Sequence, residues 1–162
     1  MKTQRSAGRT TGSAERSRPE NMVDVAERRA VPVPDRDSAP YWAALADGRL
    51  EIQHCRDCGH WTWPARAICS GCHGENLAWE PVSGGGTVHS WIVTHQIYAP
   101  DFVDLVPYTV VLVRLDEQDD ILIPGRLLSA VDPHQGMKVR AAPERITDEV
   151  GQLHWEADAS AV

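Results

Sequence analysis

Four cysteines are the residues of this chain best suited to chemistry, and they are all the cysteines it has. They run Cys55-x-x-Cys58, then ten residues, then Cys69-x-x-Cys72. A CxxC turn sets two sulfurs about one metal radius apart, with backbone N–H groups aimed at them. Two such turns supply a closed tetrahedral S₄ site, the preferred structural site for zinc. Gly59 and Gly71 suit the tight turns around the knuckles. The excursion between them is shorter than the commonest spacing and closes as a small hairpin, with Trp61, Trp63 and Pro64 as its filling. Iron is the chemical alternative, because S₄ geometry suits it too. Two disulfides are a further geometric alternative, disfavoured where thiols stay reduced. Cys69-Ser70-Gly71-Cys72-His73 also matches the CxxCH pattern of haem attachment, but that reading leaves Cys55 and Cys58 unexplained. His54, His60 and His73 flank the knuckles and are expected as polar neighbours, since four thiolates already fill a tetrahedron. Such a site leaves no position for water, so the metal is expected to be structural. It would fold a ribbon too small to stabilise itself.

Little else in the chain points to catalysis. With the thiols committed, no cysteine nucleophile remains. There is no G-x-S-x-G, no Walker loop and no G-x-G-x-x-G opening a helix. Ser83-Gly84-Gly85-Gly86 reads as a bulge or hinge into a strand rather than a phosphate cradle. His89 and His95 fall on one strand face, as a general base or as ordinary barrel histidines. Asp116, Glu117, Asp119 and Asp120 read as a solvated turn.

The elements that position these residues follow from pattern and charge. The 162 residues carry a net charge of −7, unevenly spread. Residues 1–36 hold eight basic and five acidic side chains, whereas residues 37–162 hold eight basic and eighteen acidic. The body is thus strongly acidic, which argues against nucleic acid as a partner. No apolar run is long enough to span a bilayer, and no apolar h-region follows the first charges, so no membrane partner and a cytoplasmic location are expected. Residues 1–37 are expected as a disordered or extended tail ending in Val31-Pro32-Val33-Pro34. Residues 38–48 are a short helix, capped by Asp37 or Ser38, with Pro40 in its first turn and Gly48 at its close. Tyr41, Trp42, Leu45 and Ala46 share one face, which packs either on the chain's own domain or on a partner. Residues 49–82 are the zinc ribbon.

Residues 83–162 read as five short strands. The first runs from the glycines to Ile97, with His89, Trp91, Val93, His95 and Ile97 on one face and Val88, Ser90, Ile92 and Thr94 on the other. Tyr108 to Asp116, Ile121 to Leu128, the stretch around Met137, Val139 and Ala141, and that around Leu153 and Trp155 supply the rest. Five such strands suit a Greek-key barrel of the OB type. The fold class is therefore mainly β, with a tail and short helix, a rubredoxin-like Cys₄ ribbon and a five-stranded OB-fold barrel.

Laid out in order, these pieces resemble the DUF35 family of acyl-CoA-associated zinc-ribbon/OB-fold proteins. The resemblance runs from Tyr41-Trp42 through Gly48-x-Leu50 and Gln53-x-Cys55-x-x-Cys58-Gly59 to Pro64-x-Arg66-x-x-Cys69-x-x-Cys72. It continues through Trp79, Ser83-Gly84-x-Gly86-x-Val88-x-Ser90, Pro100-x-Phe102, Pro107-Tyr108, Asp132-Pro133 and Gly136-Met137-x-Val139. Ala65 and Ser70 stand where the family often has proline. The resemblance implies a partner subunit of thiolase-fold enzymes: thiolases, HMG-CoA-synthase-like enzymes and lipid-transfer-protein-like aldolases of sterol side-chain degradation. In such hetero-oligomers the larger subunit carries the chemistry, and the small one docks, stabilises and helps form a CoA or acyl channel. Acyl-CoA is then a candidate ligand, and this chain is not expected to be catalytic alone.

Large aromatics in short segments suit interface or ligand contacts. The candidates are Tyr41, Trp42, Trp63, Phe102 and Tyr108, with Arg66 facing either a CoA phosphate or a salt bridge within the ribbon. Trp79 and Trp91 are expected between ribbon and barrel. Two rival functions are a single-stranded nucleic-acid-binding ribbon/OB protein and an autonomous CoA-binding acyl-transfer enzyme.

Overall fold

A computed structural model describes residues 31–158. Most of the expected N-terminal tail, residues 1–30, lies outside the described residues. Val31 to Asp35 carry no regular structure, and a turn leads into helix α1, Ala39–Ala46.

The helix starts differently from expectation. Ser38 holds the N-cap position, yet its hydroxyl caps no helical N–H. Asp35 Oδ1 instead accepts the Ser38 backbone N–H at 2.7 Å and the Ser38 hydroxyl at 2.6 Å. That leaves Ser38 Oγ to accept from Trp42 Nε1 at 3.3 Å. At the other end Gly48 adopts φ +76°, the left-handed conformation that closes helices. Tyr41, Ala44, Leu45 and Ala46 are buried. The helix packs on its own domain, against the barrel segments 138–145 and 151–157. The approach is close: a Cβ on Gly151 would lie 2.2 Å from the Leu45 carbonyl carbon, so only glycine admits this contact.

The ribbon is a three-stranded antiparallel sheet in the order β2-β1-β3, formed by β1 (Glu51–Cys55), β2 (Trp61–Thr62) and β3 (Leu77–Pro81). The barrel follows, with β4 (Gly85–Thr94), β5 (Tyr108–Leu115), β6 (Leu122–Leu127), β7 (Lys138–Arg145) and β8 (Gly151–Ala157). It closes in the order β4-β5-β6-β8-β7, with β7 returning to β4. All pairs are antiparallel except β6 with β8. The fold is mainly β, with a Cys₄ ribbon and a closed five-stranded barrel as the OB pattern requires.

Alternation drives the barrel core. Val111, Val113 and Leu115 point inward from β5, and Val139 from β7. Trp155 is fully buried, and its ring occupies the space that a side chain on Gly125 would need. One continuous core joins Tyr41 and Leu45 of the helix, Leu50 and Ile52 of the ribbon and the inward barrel residues.

The expected faces of the first barrel strand require correction. The register shifts between Val88 and Ser90, so a β-bulge at His89 breaks the alternation. The bulge is not at the glycines: Gly85 already pairs with β7, and Gly86 with both β5 and β7. Beyond the bulge the strand outruns its core. Trp91, Ile92 and Val93 are all exposed, at 40%, 64% and 47%. Trp91 therefore does not pack between ribbon and barrel, whereas Trp79 does pack against the core. His89 is half-buried beside Arg114, whose Nη2 lies 3.3 Å from its Nδ1, and His95 is exposed past the strand end.

Candidate metal centre and aromatic cavity

The two knuckles bring their sulfurs together. All four Sγ atoms lie within 4.8 Å of one another, with Cys55–Cys72 at 3.7 Å and Cys58–Cys69 at 3.6 Å. Metal–sulfur bonds of about 2.3 Å place the sulfurs of a tetrahedron about 3.8 Å apart, so the donor set fits such an ion as it stands. All four cysteines are free. Their convergence also removes the haem reading, because Cys69 and Cys72 face Cys55 and Cys58.

Backbone geometry prepares the sulfurs. Gly59 N–H donates to the Cys55 carbonyl at 2.8 Å, and Gly71 N–H points at Cys69 Sγ from 3.3 Å. The N–H groups of Cys72 and Gly71 hold the Cys69 thiol down to about 6, against the cost of burying it. Cys58 goes the other way, pushed up to about 12. The His60 N–H favours its thiolate, but the thiols of Cys72, Cys55 and Cys69 and partial burial outweigh that. Four sulfurs this close do not all ionise without a cation among them. These residues would hold a structural metal, with Cys55 and Cys69 buried inside the ribbon and Cys58 and Cys72 toward solvent.

The neighbouring histidines are occupied elsewhere. The His54 ring stacks on Trp61 at 4.2 Å and bridges the Glu80 carboxylate (2.9 Å) and the Gly59 carbonyl (3.1 Å). His60 Nε2 lies 3.4 Å from the Gln118 amide. His73 takes a left-handed φ of 61° in the second knuckle.

Five of the six other candidate residues line one cavity of about 570 Å³ where helix, ribbon and barrel meet. Tyr41 and Trp42 come from α1, Trp63 from the ribbon, and Phe102 and Tyr108 from the segment before and into β5. Tyr41 touches Trp42 (5.1 Å, edge-on) and Trp63 (4.5 Å, tilted), and Phe102 stacks on Tyr108 at 5.7 Å. Arg66 is the exception, absent from the lining and exposed. Its backbone is bracketed by Gln53, which accepts from its N–H at 2.8 Å and donates to its carbonyl at 3.0 Å. Among the described residues it makes no salt bridge, so of its two alternatives the ion pair within the ribbon is not formed there.

Sequence reasoning missed Arg126, which also lines this cavity, and the exposed strip of Trp91, Ile92, Val93, Ile97 and Tyr98. A signal for the strip was present: apolar residues fall on both faces of one strand, and a small barrel buries only one.

Comparison with known proteins follows the same division. Residues 42–78 match the family described as "ChsH2, rubredoxin-like zinc ribbon domain", and residues 79–143 match "ChsH2, C-terminal OB-fold domain". A "DUF35 domain-containing scaffold protein" of Methanocaldococcus jannaschii is 31% identical over 98 residues, covering 59% of this chain and 67% of that protein. A "Probable enoyl-CoA hydratase alpha subunit" of Thermomonospora curvata is 36% identical over 88 residues, 53% of this chain. The match spans only 26% of that larger protein. Among solved structures, a chain of an "Ltp2-ChsH2(DUF35) aldolase" superposes with a TM-score of 0.70 at 28% identity, covering 81% of this chain and 99% of that one. A DUF35 protein of unknown function from Sulfolobus solfataricus shares the fold, with a TM-score of 0.52 at 15% identity over 76% of this chain and 86% of its own. With both halves matched in order and the four ligands and the closed barrel in place, this chain belongs to the DUF35 family of zinc-ribbon/OB-fold proteins.

Proposed function

We propose that this chain is a non-catalytic accessory subunit that docks on a thiolase-fold enzyme acting on acyl-CoA, in an aldolase or acyltransferase assembly. The observation that carries this reading is the likeness to the ChsH2 chain of an aldolase, which this chain covers almost end to end. The scaffold description of the archaeal relative agrees with it. A lipid-transfer-protein-like aldolase of sterol side-chain breakdown is the partner type that fits best. The metal is zinc, bound by Cys55, Cys58, Cys69 and Cys72 in a purely structural role. A cytoplasmic location goes with this reading.

Two surfaces support it. The exposed strip from Trp91 to Tyr98 offers apolar area that a solitary soluble chain rarely keeps, and it suits a protein partner. The aromatic cavity suits an acyl ligand or the edge of the partner's acyl-CoA site. The test is co-expression with the thiolase-fold protein encoded nearest to it, followed by size-exclusion chromatography. Co-elution of the pair is expected, and Ile92→Asp is expected to abolish it while leaving the fold intact. Separate elution, with full activity of the larger protein alone, overturns the reading.

A further inference from the structure

The aromatic cavity carries a charge pattern that selects its occupant. Among the described residues no carboxylate lines it, although residues 37–162 hold eighteen acidic side chains. Its one guanidinium is Arg126, half-buried on β6. Most of the body's cations meet an acid: Arg49, Arg56, Lys138, Arg140 and Arg145 each form an ion pair. Among the described residues Arg126 forms none. A partly desolvated guanidinium beside aromatic rings is a ready partner for an anion, because its donors already lack part of their water.

Arg126 also stands at a doorway. A second cavity of about 540 Å³ adjoins the first and shares Leu105, Tyr108 and Arg126 with it. This neighbour is polar and carries Asp104 and Asp132. An anion at Arg126 thus has rings on one side and two acids beyond. A single negative charge is attracted there, whereas a head bearing several phosphates meets repulsion from the acids.

We propose that the cavity binds a monoanionic amphipath, with an apolar acyl body against Trp42, Trp63 and Phe102 and its carboxylate on Arg126. The volume lies in the range of sites for drug-sized ligands, and its make-up of apolar rings with a few polar groups, Arg126, Gln152, His154 and Ser38, is that of a specific site. The site does not depend on a docked partner, so loss of ligand binding and loss of co-elution are separate results.

Calorimetric titration of the full chain with decanoate, decanol and free CoA tests this. Decanoate is expected to bind saturably and more tightly than either of the others. Arg126→Ala is expected to weaken decanoate about tenfold, as loss of a charge-assisted contact implies, and to leave decanol unchanged. Val110→Trp and Ala65→Trp, which each fill the cavity from a different wall, are expected to abolish both; thermal melts identify which filled variants remain folded. Absence of decanoate binding overturns the proposal. So does equal binding by Arg126→Ala and the unaltered chain, or binding that survives in a folded, filled variant. CoA binding tighter than decanoate overturns the monoanion assignment.

Discussion

The Gln118 side chain satisfies both backbone groups of Trp61, across 57 residues of sequence. Its Oε1 accepts the Trp61 N–H at 2.9 Å, and its Nε2 donates to the Trp61 carbonyl at 3.0 Å. The amide thus acts as one more strand residue at the edge of β2, and it ties the ribbon to the β5–β6 turn. Gln53 does the same for Arg66 within the ribbon. Gln118→Ala leaves a half-buried N–H and C=O at Trp61 without these partners. A loss of about 1–3 kcal/mol is expected, less where water enters. Urea denaturation reads it, and Gln118→Glu should recover less than half, because it accepts but no longer donates.

Metal removal separates the two halves. The purified chain should contain one metal ion per molecule by elemental analysis, and zinc rather than iron leaves it colourless. Cys58→Ser replaces a solvent-facing ligand and should lower the metal content well below one. The ribbon's proton resonances should then lose dispersion while the barrel keeps its far-ultraviolet dichroism. Full metal occupancy in this variant would show that the four sulfurs do not act together.

Gly151 tests the helix seat. A methyl group there meets the α1 backbone at 2.2 Å, with no flexible side chain to yield. Gly151→Ala should cost about 1–3 kcal/mol or more by overpacking. Gly136→Ala is the comparison: it also changes a glycine, at φ +88°, but into open space, so its cost comes from backbone strain alone. Thermal melts should rank Gly151→Ala as the more damaging, with the summed tryptophan fluorescence shifting only there.

Asp35 gives the helix start a pH dependence. Hydrogen bonds from the Ser38 hydroxyl and the Ser38 N–H hold its carboxyl below the ordinary 3.8. A depressed carboxylate stabilises the fold fully above its unfolded pKa, and that contribution fades as pH falls through the folded one. Asp35→Asn should therefore lower the melting temperature at pH 7, with the gap to the unaltered chain closing toward pH 2.5. A gap that is constant across this range would mean that the charge of Asp35 does not matter.

Much of the architecture was legible in the residues alone. The metal site follows from two local CxxC turns, whose thiolate geometry is decided within four residues each. The strands β5 and β7 follow from a period of two, since Val111, Val113 and Val139 alternate with half-buried or exposed neighbours, and β8 follows from Leu153 and Trp155, although His154 between them is buried as well. The helix span was also readable, from Pro40 and Gly48. The N-cap position at Ser38 was readable as well, but its bonds to Asp35 in place of a helical N–H were not.

What only the tertiary structure decided involves partners far apart or a break in period. The bulge at His89 shifted the register of β4 and set Trp91 opposite Val111, but the strand there runs past its core, so Trp91, Ile92 and Val93 are exposed on both faces. The pairing of Gln118 with Trp61 depends on how ribbon and barrel meet. The same is true of the aromatic cavity, whose walls come from α1, β2's flank, the loop before β5, and β6. Sequence alone marked Tyr41, Trp42, Trp63, Phe102 and Tyr108 as large rings in short segments, and folding placed them around one space. Arg66 looked equivalent but lies outside it, and Arg126 looked like an ordinary strand residue. Local spacing sets a knuckle or an alternation because its geometry closes within a few bonds. A cavity at a three-way junction closes only when separate elements, each stable in its own pattern, pack together.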